Sequence, residues 1–195
     1  MVIVSMSKVI YIVDNKKEYV FDLEEDTIIY HFNINSSCCV YVNLNKENIT
    51  LNYYYNNINY DDNTYKIRIN HNKSNTNSYV YNHGVNVNDK KLHYWVDGYV
   101  PKTSITCDCN QDNQIININN GKSKIWPNLL IDNYDVNANH SAYIGKFKEE
   151  LLFYLMSRGI NRHDSYKLLL NGFLLNTDSV DREKIKDFVL EIDKL

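Results

Sequence analysis

The feature that most constrains this chain is a change of hydrophobic period part-way along it. From about residue 9 to residue 131, apolar side chains recur at every second position in short bursts, at 9–13, 19–23, 27–32, 40–44, 49–53, 65–69, 92–96, 115–118 and 129–131. β-Branched and aromatic residues dominate these bursts, which is the composition of strands with one buried face. After Gly145 the spacing becomes helical. Phe147, Leu151, Tyr154 and Leu155 form one stripe, and Tyr166, Leu169, Leu170 and Phe173 a second at i, i+3, i+4, i+7. A third stripe of Ile185, Phe188, Val189 and Ile192 opens at Asp178 or Ser179. Gly159 stands where a C′ glycine would end the first helix, and Asn161 can cap the second. Residues 1–144 therefore read as a β body and 145–195 as a small helical domain. Helices this short are marginal alone in water, so they must pack on each other, on the β body or on a partner.

Short strands at this spacing suit a sandwich, a barrel or a solenoid, and no internal repeat fixes which. Composition adds one clue. About 30 of the 195 residues are Asn and 17 are Tyr, beside only 6 Gly and 2 Pro. AT-rich codon usage accounts for such a bias without any appeal to function. Asn in the connections still suits positions needing φ > 0 where Gly is scarce. In a solenoid, Asn stacked on Asn would also form hydrogen-bonded ladders of the kind seen in other stacked sheets.

Several classes are disfavoured. A net charge of −3 and a pI near 6.1 give no overall electrostatic footprint for nucleic acid. No run of eighteen apolar residues suggests a membrane span. The first five residues carry no charged side chain and the first Lys is at position 8, which is not the order of a secretory signal, so a cytoplasmic address is expected. There is no Walker A, GxGxxG or GxSxG motif, so the chain is not expected to hydrolyse nucleotide itself. Cys107 and Cys109 at i, i+2 would face one side of a strand and are weak metal candidates. Two thiolates are half a tetrahedral site, so buried free thiols are favoured. Cys38 and Cys39 would point to opposite faces. His71, His83 and His93 have no ligand spacing and read as surface or core histidines. The run Tyr53-Tyr54-Tyr55 leaves open a β-solenoid carbohydrate binder or polysaccharide-active enzyme, which would need exposed aromatics or opposed carboxylates.

Four blocks carry a more specific signal: Pro-Asn-Leu-Leu-Ile-Asp at 127–132, Asp-Val-Asn-Ala-Asn-His-Ser-Ala-Tyr-Ile-Gly at 135–145, Leu-Phe-Tyr-Leu-Met-Ser-Arg-Gly-Ile at 152–160, and Leu-Leu-Leu-Asn-Gly-Phe at 168–173. In order and spacing they resemble the SufB/SufD scaffold family of iron–sulfur cluster assembly, over about residues 125 to 175. The resemblance implies a right-handed parallel β-helix followed by a helical domain that docks a SufC-type ABC ATPase. It also implies pairing with a SufB-type subunit, or with a second copy, through the last β strands. Tyr154, Arg158, Gly159, Leu169, Leu170 and Phe173 fall in the motif of the docking domain. His140 matches the family's histidine near the scaffold–scaffold junction, where a cluster would pass only transiently. Ser141 stands where SufB has Glu, the SufB cysteine of a late core strand would fall near Gly121, and Ala138 replaces a Cys found in many SufD proteins. Those departures imply a SufD-like, non-catalytic partner that holds no cofactor stably by itself. At about half the family's usual length, the chain would be a short form, and a degenerate self-associating scaffold is the nearest alternative.

Overall fold

The computed structural model describes residues 7–175 and 180–195. Eleven strands run in chain order: β1 (Lys8–Ile12), β2 (Glu18–Leu23), β3 (Thr27–Ile34), β4 (Cys38–Leu44), β5 (Thr50–Asn59), β6 (Asn63–His71), β7 (Asn77–Asn86), β8 (Lys91–Val100), β9 (Cys107–Asn117), β10 (Lys122–Ile131) and β11 (Val136–Gly145). Three helices follow, α1 (Glu149–Ser157), α2 (Arg162–Leu174) and α3 (Lys186–Ile192). The expected opening of the third helix at Asp178 or Ser179 lies outside the described residues.

Every pairing between strands is parallel. Odd-numbered strands form one six-stranded sheet in the order β1-β3-β5-β7-β9-β11, and even-numbered strands form a five-stranded sheet, β10-β8-β6-β4-β2. The chain thus alternates between two sheets and advances one strand at each pass, which is a parallel β-solenoid. Stacked partners lie 24 residues apart at Asn33 and Asn57, 27 at Asn59 and Asn86, 31 at Asn82 and Asn113, and 29 at Asp108 and Asn137. This drift in turn length is why no fixed repeat is visible in the sequence.

Alternation places one side of each strand in the core between the sheets. There Ile29, Leu51, Tyr53, Tyr55 and Val80 from the odd sheet meet Val40, Val42, Ile67, Tyr94 and Val96 from the even sheet. The Tyr run read as a possible binding surface is instead mostly core. Tyr53 and Tyr55 are fully buried, Tyr55 stacked on Tyr65 at 3.6 Å, while Tyr54 lies on the outer face between Tyr30 and Tyr81 at 5.3 and 5.0 Å.

The abundant Asn side chains have two structural jobs. At the corners, Asn35, Asn48, Asn75, Asn88 and Asn119 adopt positive φ, as does Thr106. Within the sheets, Asn57 Nδ2 donates to Asn33 Oδ1 at 2.9 Å, Asn82 to Asn113 at 2.7 Å, Asn59 to Asn86 at 2.8 Å and Asn70 to Asn43 at 2.8 Å. Both expectations for Asn are met. Each pair gives its buried amides one hydrogen bond where a lone amide would have none, although Asn33 Nδ2, Asn57 Oδ1 and Asn82 Oδ1 are left without a partner among the described residues.

The helices form a third layer on the outer face of the odd sheet. Leu170, Leu174, Ile185, Phe188 and Ile192 bury against Tyr30, Phe32, Ile58 and Val85. The second and third stripes are therefore covered by the chain's own body. The first departs from expectation: Leu152 is the buried residue of α1, whereas Leu151 and Tyr154 are exposed. Phe147 precedes the helix and packs on Tyr166 and Phe173, so it does not set the helix's inner face. The expected end of α1 is present. Gly159 has φ +86°, its N–H bonds Met156 O at 3.0 Å and the Ile160 N–H reaches Leu155 O at 3.4 Å, a Schellman arrangement. Asn161 caps α2 by accepting from the Asp164 N–H at 2.9 Å.

Two predictions follow from the core. A Cβ at Gly84 would meet Tyr94 Oη at 2.1 Å and Cζ at 2.9 Å, and Tyr94 is fully buried with no room to swing. Gly84→Ala is expected to lower stability by about 2 kcal/mol, and Tyr94→Phe in the same background, by removing an unpartnered buried hydroxyl, to restore part of it; urea unfolding of the four-member cycle checks this. Burial also holds His31 and His71 neutral, lowering them to about 3 and about 4. Because the unfolded chain takes up these protons first, stability is expected to fall as pH drops from about 6.5 toward 4, on the order of 5 kcal/mol for the pair. Urea midpoints measured across that range should fall steadily in the native chain and less steeply in His71→Gln.

Candidate functional site

The last turn of the solenoid is open. β10 pairs only with β8 and β11 only with β9, so one backbone edge of each strand faces outward with no strand beside it among the described residues. Register with β9 sets Val136 over Cys107, Ala138 over Cys109 and His140 over Gln111. Cys107, Cys109 and Gln111 are buried, so the same alternation turns Val136, Ala138 and His140 toward the lumen, at its mouth. His140 is exposed there, one layer outside Gln111. Its neighbour Ser141 faces the opposite way and donates to Asp112 Oδ1 at 2.5 Å.

Cys107 and Cys109 share the inner side of β9, as their spacing required. Cys107 Sγ lies 3.4 Å from Thr76 Oγ1 and 3.5 Å from Ile105 O, and burial pushes the Cys109 thiol up to about 11. A thiol held in that state is a poor ligand without a charge to draw off the proton. Among the described residues no three His, Cys, Asp or Glu side chains group to hold a metal ion. These residues do not fit a resident cluster. Cys38 points into the core and half-buried Cys39 away from it.

The helical residues singled out by sequence divide into two sets. Tyr154, Arg158 and Gly159 are exposed around the end of α1, with the Arg158 guanidinium 5.4 Å from the Tyr154 ring. Phe153, 73% exposed, and Met156 extend that apolar surface. Leu170 is 0% exposed and belongs to the helix–sheet interface, while Leu169 and Phe173 are half-buried.

Phe173 takes part in a joint that the sequence did not disclose. His83, on the outer face of β7, stacks its ring on Phe173 at 4.7 Å, and its Nδ1–H donates to the Phe173 carbonyl at 2.9 Å. Its Nε2 lies 3.9 Å from Asp112 Oδ2 on the next strand of the sheet. His83, together with donors from Ser141 and Gln114, holds the Asp112 carboxyl down at about 2. The two partners are 90 residues apart, and no local pattern could have joined them.

A family model described as SUF system FeS cluster assembly, SufBD core domain, matches residues 34–173. The chain belongs to this family. The SufBD match spans the solenoid from the end of β3 and continues through α1 and most of α2. Among curated relatives, the iron–sulfur cluster assembly protein SufD of Bacillus subtilis is 30% identical over 97 residues, which is 49% of this chain and 22% of that protein. A SufBD family protein of Pyrococcus horikoshii is 32% identical over 94 residues, 48% of this chain and 19% of the relative. One from Staphylococcus haemolyticus is 26% identical over 131 residues, 64% and 26%. The aligned segment is thus about a fifth to a quarter of each SufBD relative.

The joint makes a pH prediction with a definite sign. A carboxyl depressed in the folded state contributes stability above its unfolded pKa, near 3.8, and that contribution is lost as pH falls toward 2. Amide exchange at Phe173 and Leu174 is expected to accelerate across that window relative to β5. In Asp112→Asn the additional acceleration should be missing, with exchange already faster at neutral pH.

Proposed function

We propose that this chain is a SufD-like, non-catalytic scaffold of iron–sulfur cluster assembly that pairs with a SufB-type subunit and docks a SufC-type ABC ATPase. The observation that carries the reading is the family match, which covers in one stretch most of a solenoid with an open final turn, α1 and most of α2. A parallel strand with a free edge can accept a strand from another subunit. On this reading β11 is the pairing edge, and His140 stands at the junction where a cluster, as cargo, would pass between subunits.

The ATPase-docking role falls on the part of the tail that the chain does not cover itself. Phe153, Tyr154 and Met156, with Arg158 beside them, present the aromatic and cationic side chains that dominate many protein interfaces. Gly159 fixes the turn that follows. Leu170 anchors α2 to the sheet, and half-buried Leu169 and Phe173 complete the α2 part of the docking motif on this reading. The chain would supply binding and transmission while the partner hydrolyses ATP. No helix of the described residues is long and apolar enough to cross a membrane, and we place the protein in the cytoplasm with its partners. Self-pairing through β11 is the second form of the same edge.

Co-expression with a SufC-type ATPase is expected to yield a complex that survives gel filtration at low salt. Phe153→Glu with Tyr154→Glu should remove the ATPase while leaving the β spectrum and solubility unchanged. Retention of the ATPase by that variant, or failure of the native chain to co-purify, would count against the docking role.

A further inference from the structure

The even-numbered sheet leaves its outer face uncovered, and one part of it is chemically unlike the rest. On β8, Trp95 and Asp97 project outward two residues apart, and register sets Lys66 of β6 beside Trp95 and Arg68 beside Asp97. The Cα positions of these four residues mark a rectangle of about 4.8 Å by about 6.6 Å, the strand spacing and the two-residue rise, and the Arg68 guanidinium leans from its corner toward Tyr99 and Asn70. Tyr41 of β4 extends the row beyond Arg68. Together they line a slot of about 260 Å³.

Trp95 is braced from one side. Its ring stacks on Trp126 of β10 at 4.3 Å with an interplanar angle of 18°, so that face is closed. The other faces toward the β6 row and the slot, and Trp95 remains 40% exposed. Nearby cations already occupy the other rings: Lys124 lies 5.8 Å from Trp126 and Arg68 5.0 Å from Tyr99. No such cation covers Trp95 among the described residues.

The charges around the slot are unbalanced. Along one border of this sheet Lys90 pairs with Asp61, Lys91 with Asp62 and Lys122 with Asp89. Lys66 and Arg68 have no ion pair among the described residues; Arg68 Nε donates to Asn70 Oδ1, which leaves its terminal amino groups available. Asp97 accepts from Asn128 Nδ2 through Oδ1, and Oδ2 is left to accept from something else.

We infer that this slot binds a mononucleotide, its base stacked on the free face of Trp95, its phosphate between Lys66 and Arg68, and an amino or hydroxyl group donating to Asp97. An aromatic wall asks for a flat ring, two uncompensated cations ask for an anion, and the adjacent carboxylate asks for a donor on the same small molecule. A nucleoside monophosphate joins all three within the span of one slot. A free anion would leave Trp95 and Asp97 unused, and an acidic sugar would offer no π-face to the indole.

The full chain carries its own reporter, since Trp95 and Trp126 are its two tryptophans. Titration with AMP is expected to quench tryptophan fluorescence saturably, with half-saturation at about 1 mM or below. Trp95→Leu should abolish the binding seen by calorimetry, and Trp95→Phe, which keeps a ring, should restore part of it. Lys66→Met and Arg68→Met should each weaken AMP about tenfold, the scale of one charge-assisted hydrogen bond, with the β spectrum unchanged. Adenosine and inorganic phosphate should each bind much more weakly than AMP. The inference is overturned if AMP gives no saturation by about 10 mM, if the two cation variants bind AMP like the native chain, or if phosphate or galacturonate matches AMP. Loss of the ATPase complex in the experiment above would leave this outcome unaffected.

Discussion

In-register parallel stacking is the constraint on which this structure depends. Each position of one turn lies directly over its counterpart in the next, so like side chains that recur at one position meet along a column. Asn33 over Asn57, Asn82 over Asn113, and Tyr30, Tyr54 and Tyr81 in one column show the result. Amides pair with amides and rings stack on rings, which converts a compositional bias into hydrogen bonds and dispersion. The same residue type also turns the corners. Five Asn adopt the left-handed backbone that a chain with six glycines must find elsewhere.

Stacking satisfies the interior but leaves two outer faces and two ends. The helices cover the outer face of the odd sheet with Leu170, Leu174, Ile185, Phe188 and Ile192. Short helices with little mutual core gain their stability this way, from a sheet already held rigid. The even sheet has no such cover and carries its polar and aromatic side chains in the open. Lys91 and Lys122 at its border are paired with carboxylates, whereas Lys66 and Arg68 beside the Trp95 slot have no ion pair among the described residues.

Much of this was legible in the amino-acid sequence because two periods, 2 and 3.6, are local. The strand bursts, the switch after Gly145, the Gly159 stop and the Asn161 cap depend on residues within a few positions of one another. The choice of a solenoid over a sandwich did not, and only the resemblance of residues 125–175 to a known family supplied it. Turn lengths drifting from 24 to 31 residues erase the repeat that would have revealed it. The α1 face was misread because Phe147, counted into its stripe, lies outside the helix. The stacking of His83 on Phe173 and the row of Lys66 beside Trp95 arise from tertiary register alone. A single sequence holds no record of either.

The division of the helical tail bears on how motion could pass through it. α1 buries Leu152 alone among its fully enclosed residues, whereas α2 is fixed to the sheet by Leu170, Leu174 and the His83–Phe173 joint. Phe147 touches both Tyr166 and Phe173, and so links the exit from β11 to α2. A partner gripping α1 would therefore pull on the strand that forms the open edge through a linker of three residues, and on α2 through Phe147 and the Glu149–Arg162 ion pair at 3.0 Å. Under the scaffold reading, that is a short path from an ATPase to the pairing strand. The buried stripes of α2 and α3 hold the rest of the helical layer on the sheet.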